Sequence, residues 1–335
     1  MADKPAARRR VWRQSLIEVV LLVLCLVLAL KAPGFRNPDN LLNVLRSVSM
    51  QGIIALGMTM AIIAGEIDLS VGSAVAFSGC LCAKLTALLS GGGPATVGAV
   101  LGACLISLAV GTAVGAASGW LRDRYSVPTF IITLAWLTVL KGAAELITNG
   151  FPLTPFPDWF NFLGGGRLGG VPFPALVFVG VFVLVWVVMH RTTLGRAIYA
   201  VGGNVEAARL SGIKVGRVKT SAMAAVGLLA ALAGILQASQ IMSGSATTAV
   251  GWELDVISAV IIGGTSLMGG AGTVRGTLVG VIFLGVLVNG MTLLNYTEYW
   301  QHVVRGALIL AAVLINTAPA GRRGARHDQA GTAGA

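Results

Sequence analysis

GMTMAIIAGEIDLSVGSAVAFSG, residues Gly57 to Gly79, places two carboxylates, Glu66 and Asp68, between two apolar runs with almost no polar loop to separate them. A surface turn of a water-soluble domain is neither so short nor so apolar. Charge inside a bilayer is costly unless it faces protein or water, and non-helical backbone at that depth is tolerated only where it is buried in protein or lines a cavity. Gly65 and Gly72, with Ser70 placed to cap the next helix, therefore predict two membrane helices joined by a break. Two roles stay open for Glu66 and Asp68. They line a solute path, or they cap the helix beginning near Leu69, whose dipole favours negative charge.

The same apolar character extends in both directions. Of 335 residues, 56% are hydrophobic and 11% charged, where a soluble domain carries about 25% charged residues. A soluble globular protein is excluded. The 45 glycines follow no G-X-Y period and suit close packing between membrane helices. Runs long enough to span about 30 Å of hydrocarbon are Ser15–Leu30, Leu41–Ala64, Leu69–Leu89, Pro94–Trp120, Val127–Ile147, Val171–His190, Val218–Gln240, Trp252–Met268, Thr273–Leu294 and Glu298–Asn316. The expectation is an all-α polytopic bundle of about ten transmembrane helices, some of them broken. Arg8, Arg9, Arg10 and Arg13 precede the first run as in a signal peptide, but no small-x-small cleavage pattern precedes Lys31, so that run is read as an uncleaved helix.

The net charge of +11 would suggest nucleic acid in a soluble protein, yet the basic residues lie between the apolar runs and at the chain ends, and no nucleic-acid-binding motif accompanies them. They orient the chain instead. With the N-terminus inside, the inner segments hold Lys4, the N-terminal arginines, Arg122, Arg124, Arg191, Arg196, Arg209, Lys214, Arg217, Lys219, Arg275, Arg322, Arg323 and Arg326, and the outer loops only Lys31, Arg36 and Arg167. Both termini are then cytoplasmic. Residues 1–14 form a basic N-terminal segment, 15–317 the membrane domain, and 318–335 a disordered cytoplasmic tail. Cys25, Cys80, Cys82 and Cys104 all lie in apolar runs and read as buried free thiols, while His190, His302 and His327 are too dispersed for a metal site.

Two loops stand out. The outer segment 149–170 is rich in Pro, Gly and aromatics; its formal GxGxxG at Gly164, Gly166 and Gly169 neither follows a strand nor opens a helix, so it is no dinucleotide fingerprint. It is either a surface for an external partner or a cap packed on the helices. In the inner segment 191–219, Asn204 is a good N-cap, Glu206 reaches Arg209 at i,i+3 and Gly212 suits the stop, which predicts a short helix over Val205–Leu210.

A second break is expected in GSATTAVGWELDVISAVIIGGTSLMGGAGTVR (Gly244–Arg275). There Trp252, Glu253 and Asp255 open a span that ends in Gly263, Gly264, Gly269 and Gly270, with Thr265 and Ser266 between them; Gly-interrupted segments point to a pathway or gate. Arg46, Lys84, Lys141, Glu145 and Arg305, in or near apolar runs, are expected to snorkel to the interface. No phosphate-binding loop, hydrolase or metalloenzyme motif is found, so the chain is read as no enzyme. Any ATP-driven work must come from another chain.

GEIDLSVGS (65–73), GGNVEAARLSGI (202–213) and ELDVISAVIIGGTSLMGGAGTVRGTLVG (253–280) together resemble the permeases of bacterial ABC importers for sugars, of the ribose permease type. The resemblance covers nearly all of the chain. It implies a permease dimer, homo- or heteromeric, in the inner membrane, a periplasmic or lipid-anchored substrate-binding protein, and a cytoplasmic ATPase that uses the ATP and Mg; no cofactor is bound by this chain. It further implies that the inner helix and its flanks, from Gly203 through Ile213, couple to the ATPase. Ala207 and Ala208 would allow close approach, Leu210 and Ile213 would fill apolar space, and Glu206 and Arg209 would make rim contacts. Relatives often carry a small residue where Glu66 stands, so a substrate role is weaker for Glu66 than for Asp68. The competing class is an ion- or proton-coupled secondary transporter, with Glu66, Asp68 or Asp255 carrying the charge. The sugar itself stays open.

Overall fold

The computed structural model describes residues 4–317; the first three residues and the tail expected at 318–335 lie outside them. Along the chain run α1 (Lys4–Lys31), α2 (Pro38–Ile63), α3 (Val71–Leu89), α4 (Val97–Tyr125), α5 (Thr129–Thr148), α6 (Asn161–Gly165), the two-residue strands β1 (Arg167–Leu168) and β2 (Val171–Pro172), α7 (Phe173–Arg191), α8 (Thr193–Gly203), α9 (Val205–Leu210), α10 (Val215–Ile241), α11 (Trp252–Ile262), α12 (Val274–Leu293) and α13 (Glu298–Thr317). The strands pair antiparallel, Arg167 opposite Pro172 and Leu168 opposite Val171.

Seven of the described helices, α2, α3, α4, α5, α7, α10 and α12, are long and apolar enough to cross a membrane. The chain is a helical membrane protein. At 28 and 20 residues, α1 and α13 also have the length for about 30 Å of hydrocarbon. The continuous span expected over 252–268 does not form. Only the eleven residues of α11 are helical, about 16 Å of rise, and Gly263 and Gly264 end it, Gly264 at φ +89°. The expected first span likewise starts earlier than its apolar run, since α1 is helical from Lys4.

Helix α10 is the centre of the bundle, packed against α2, α3 and α4. Its contact with α4 depends on glycine: a Cβ at Gly115 would lie 2.3 Å from Met223 O, and one at Gly119 would lie 2.5 Å from Thr220 Cα. Small residues in this register let the backbones meet and gather dispersion energy that lipid cannot supply between helices. α2 begins with Asn37, whose side chain accepts the Asp39 N–H, ahead of Pro38 at the first helical position. All four cysteines are free, with Cys82 Sγ 3.7 Å from Cys104 Sγ.

Segment 149–170 packs onto the end of α10. Phe160 is fully buried and stacks on Phe156 at 4.3 Å, the Gly164 N–H donates to Ser239 Oγ at 2.8 Å, and Leu153 bridges Gly244. Gly164 is there because a Cβ would fall 2.2 Å from Leu236 O, which accounts for one glycine of the formal GxGxxG. Phe151, Trp159 and Leu168 remain exposed.

Candidate functional site

α2 stops in a glycine-terminated cap. Gly65 has φ +80°, its N–H reaches Ile62 O at 3.0 Å, and the Glu66 N–H reaches Ala61 O at 2.9 Å, the hydrogen-bond pair of a Schellman motif. That turn drives the Glu66 side chain among three helix ends. One carboxylate oxygen receives Lys219 Nζ at 2.5 Å, from the start of α10, and Arg122 Nε at 2.9 Å, from the end of α4. The other accepts from Thr129 Oγ1 at the start of α5. Glu66 and Lys219 are both buried, so each charge depends on the other. Glu66 caps no helix.

Asp68 accepts the Ser70 N–H at 2.8 Å and the Ser70 hydroxyl at 2.6 Å. The expected Ser70 cap on α3 is therefore not made; the serine hydroxyl is turned back to the carboxylate. Burial pushes the Asp68 carboxyl above the usual carboxylate range, against the two Ser70 bonds that lower it.

The three glycine-bearing motifs meet here. The Gly270 N–H donates to Ile63 O at 2.9 Å. Gly202 faces the same carbonyl so closely that a Cβ would fall 1.7 Å from it, and a Cβ on Gly269 would lie 3.2 Å from Gly65 Cα. Tyr199 Oη donates to Gly272 O at 2.9 Å, and the Ser266 N–H closes its own loop onto Ala271 O. Thr265 is buried, its hydroxyl unpartnered among the described residues. The segments around 65, 202 and 270, far apart in the chain, form one junction.

α9 lies beside that junction. Asn204 Oδ1 accepts the Ala207 N–H at 2.9 Å, Arg209 pairs with Glu206 at 3.3 Å, and Gly212 turns at φ +80° as the Ile213 N–H bonds Ala208 O. Ala208 is buried and Ile213 packs partly into the core, so these two face their own chain and not outward. Ala207, Glu206 and Arg209 point out, as does Leu210 at 88% exposure. A cavity of about 530 Å³ separates α9 from the break, with Glu66, Arg122, Thr129, Glu206 and Arg209 in its wall. Sequence reading missed α8, which precedes α9; Leu194, Ile198 and Val201 at i, i+4, i+7 were its signal.

The second region is in mid-bundle, at the start of α11. Arg305 Nη1 holds both Asp255 oxygens, at 2.9 and 2.8 Å, and Gln51 Nε2 donates to one of them at 3.2 Å. Arg305 does not snorkel, because a carboxylate within reach stabilises it better than a path along lipid. Glu253 points to the other side of α11, against α3, where a Cβ on Gly72 would fall 2.3 Å from its Oε2. A cavity of about 360 Å³ opens beside Asp255, lined among others by Gln51, Gln237, Gln240, Trp252 and Arg305.

Comparison with known proteins places this architecture. The family model for branched-chain amino acid transport system / permease component matches residues 40–313. The ribose import permease protein RbsC of Escherichia coli K12 is 41% identical over 302 residues, covering 89% of this chain and 92% of its own. RbsC of Bacillus subtilis is 43% identical over 298 residues (88% and 90%), and the L-arabinose ABC transporter permease protein AraH of Azospirillum brasilense is 39% identical over 313 residues (92% and 90%). No solved structure matches the chain. With the match running through the break after α2, the junction, α9 and the half-length α11 alike, the chain belongs to this family of membrane-spanning transport permeases, alongside the sugar-importing members of it.

Proposed function

We propose that the chain is the permease subunit of a binding-protein-dependent ABC importer for a sugar, and that ATP hydrolysis in a separate cytoplasmic subunit moves it through α9. The observation that carries this reading is the junction: a short, independently capped helix with outward Ala207 and Leu210 directly follows Gly202 and Gly203, the end of α8 that touches the breaks after α2 and α11. A push on α9 is thereby delivered to both breaks. A six-residue helix is unstable alone in water, and the 88% exposed Leu210 suits an apolar groove on such a subunit.

The distribution of Lys and Arg supports cytoplasmic termini and α9. Ten passes result if residues 242–251 run back into the membrane and α11 completes the eighth. Segment 149–170 is then extracytoplasmic, and Phe151, Trp159 and Leu168 offer the apolar surface for a substrate-binding protein. The remaining partners are a second permease chain, of the same or another sequence, and the lipid of a bacterial cytoplasmic membrane. The relatives named above are ABC permeases, which favours this reading over an ion-coupled transporter. Ribose and L-arabinose, the solutes in those relatives' names, are the first to try. Cells deleted for this chain should lose high-affinity uptake of one such sugar and regain it on re-expression; uptake of every sugar tested at the wild-type rate in the deletion strain refutes the proposal.

A further inference from the structure

The cavity beside Asp255 is wide enough and polar enough to hold a small solute. Its volume of about 360 Å³ lies in the range of small-molecule sites. Gln51 in its wall is 13 residues from Pro38 and 12 from Ile63 in α2, so it marks the middle of a membrane-crossing helix. The lining is chemically distinctive. Its one acid, Asp255, is part-buried and neutralised within the wall, since Arg305 and Gln51 occupy its oxygens. No free carboxylate is left there to hold a metal ion, which prefers anionic oxygen ligands. What stays available is amide: Gln237 and Gln240, from the end of α10, line the cavity and make no side-chain hydrogen bond among the described residues. Arg305 Nε is likewise buried and unpartnered.

Each amide presents both donors and an acceptor, the combination that matches a hydroxyl, which also donates and accepts. Two glutamines one turn apart on α10, in the wall of one cavity with an internally neutralised ion pair and Trp252, suit a neutral polyhydroxylated molecule with polar edges and an apolar face. Both glutamines are part-buried and line an open cavity, so their amides are placed to meet a passing solute.

We infer that this cavity is a binding station for a neutral sugar of pentose to hexose size on its way through the permease, with Gln237 and Gln240 as its hydrogen-bonding contacts and the Asp255–Arg305 pair as a wall without net charge. The inference rests on the importer reading above. It deepens that reading by naming the residues of this chain that meet the solute.

Because Gln237 and Gln240 hold nothing in the protein, their replacement tests solute contact with little structural confusion. The complete transporter, with its ATPase and binding protein, is reconstituted and tested for D-ribose and L-arabinose uptake as wild type, Gln237→Leu and Gln240→Leu. Copurification of the ATPase shows that each variant assembles. Each leucine should lower uptake about three- to tenfold, one hydrogen bond's contribution, and the double variant should lower it further. As a second readout, Gln240→Cys in a chain whose four native cysteines are replaced should react with a maleimide, and millimolar concentrations of the transported pentose should slow that reaction. Wild-type uptake with unchanged rates in all leucine variants and no protection of the cysteine overturns the inference and leaves the importer reading intact. No uptake of either pentose by the wild-type complex overturns the inference for this sugar class, and the deletion-strain experiment then decides the importer reading separately.

Discussion

Glu66→Gln should destabilise the permease far more than its single changed atom suggests. In the native chain Lys219 Nζ is 2.5 Å from the Glu66 carboxylate, and both side chains are almost fully buried, at 4% and 5% exposure. The amide leaves Lys219 buried beside a neutral acceptor, and stranding one member of such a pair costs about 3–5 kcal/mol. Arg122 contributes less to that loss, because its side chain is 29% exposed and water can replace its partner. Lys219→Met should cost only about 1–3 kcal/mol, the strength of one hydrogen bond to a charge, since Glu66 keeps Arg122 and Thr129. Combined, Glu66→Gln and Lys219→Met should cost less than the sum of the two, by about 2 kcal/mol, because no cation is then stranded. Reversible unfolding of the purified permease in mixed micelles by added sodium dodecyl sulfate, followed by tryptophan fluorescence, gives all four values. A Glu66→Gln cost below about 1 kcal/mol, or strict additivity in the double variant, refutes the buried pair as the bond that holds this end of the bundle.

Gly202→Ala drives a Cβ to within 1.7 Å of Ile63 O, whereas nothing stands within 4 Å of a Cβ on Gly203. The first substitution should cost at least about 1–3 kcal/mol and cut uptake severely, and Gly203→Ala should transport normally; equal uptake in the two removes the junction from the mechanism. Asp68→Asn retains an oxygen for both Ser70 bonds and should keep most uptake, while Asp68→Leu strands the Ser70 N–H at about 1–3 kcal/mol and should lose assembly or transport. Equal and complete loss in both folded variants shows an essential charge. Ala207→Trp, on the outward side of α9, should leave the chain folded in the membrane but lower sugar-stimulated ATP hydrolysis and uptake together; normal rates with the ATPase bound show that α9 is not the coupling element.

Local signals make much of this fold legible in the amino acids alone. Most membrane helices follow directly from apolar runs of about 20 residues, and α9 from Asn204, Glu206, Arg209 and Gly212, whose chemistry lies within one short segment. The end of α11 is harder to see. Its glycines signal a break, but Val256 to Ile262 continues into Leu267 and Met268 as a largely apolar stretch, so the sequence does not show that the helix stops as early as Gly263. Pairing across the chain is not legible at all. Glu66 and Lys219 are 153 positions apart, and Lys219 beside a basic loop reads as a surface charge. Arg305, in its apolar run, reads as a side chain that snorkels to the interface, and Asp255 as a charge on a path or gate; nothing local says that the two are partners.

The most direct measurement of the central claim is sugar uptake into proteoliposomes holding the permease with its ATPase, the sugar-loaded binding protein outside. The account predicts accumulation that requires ATP and Mg in the lumen, where the ATPase faces inward, that stops without the binding protein, and that continues when a protonophore collapses the proton gradient. Accumulation driven by a proton or sodium gradient with no ATP present would contradict it.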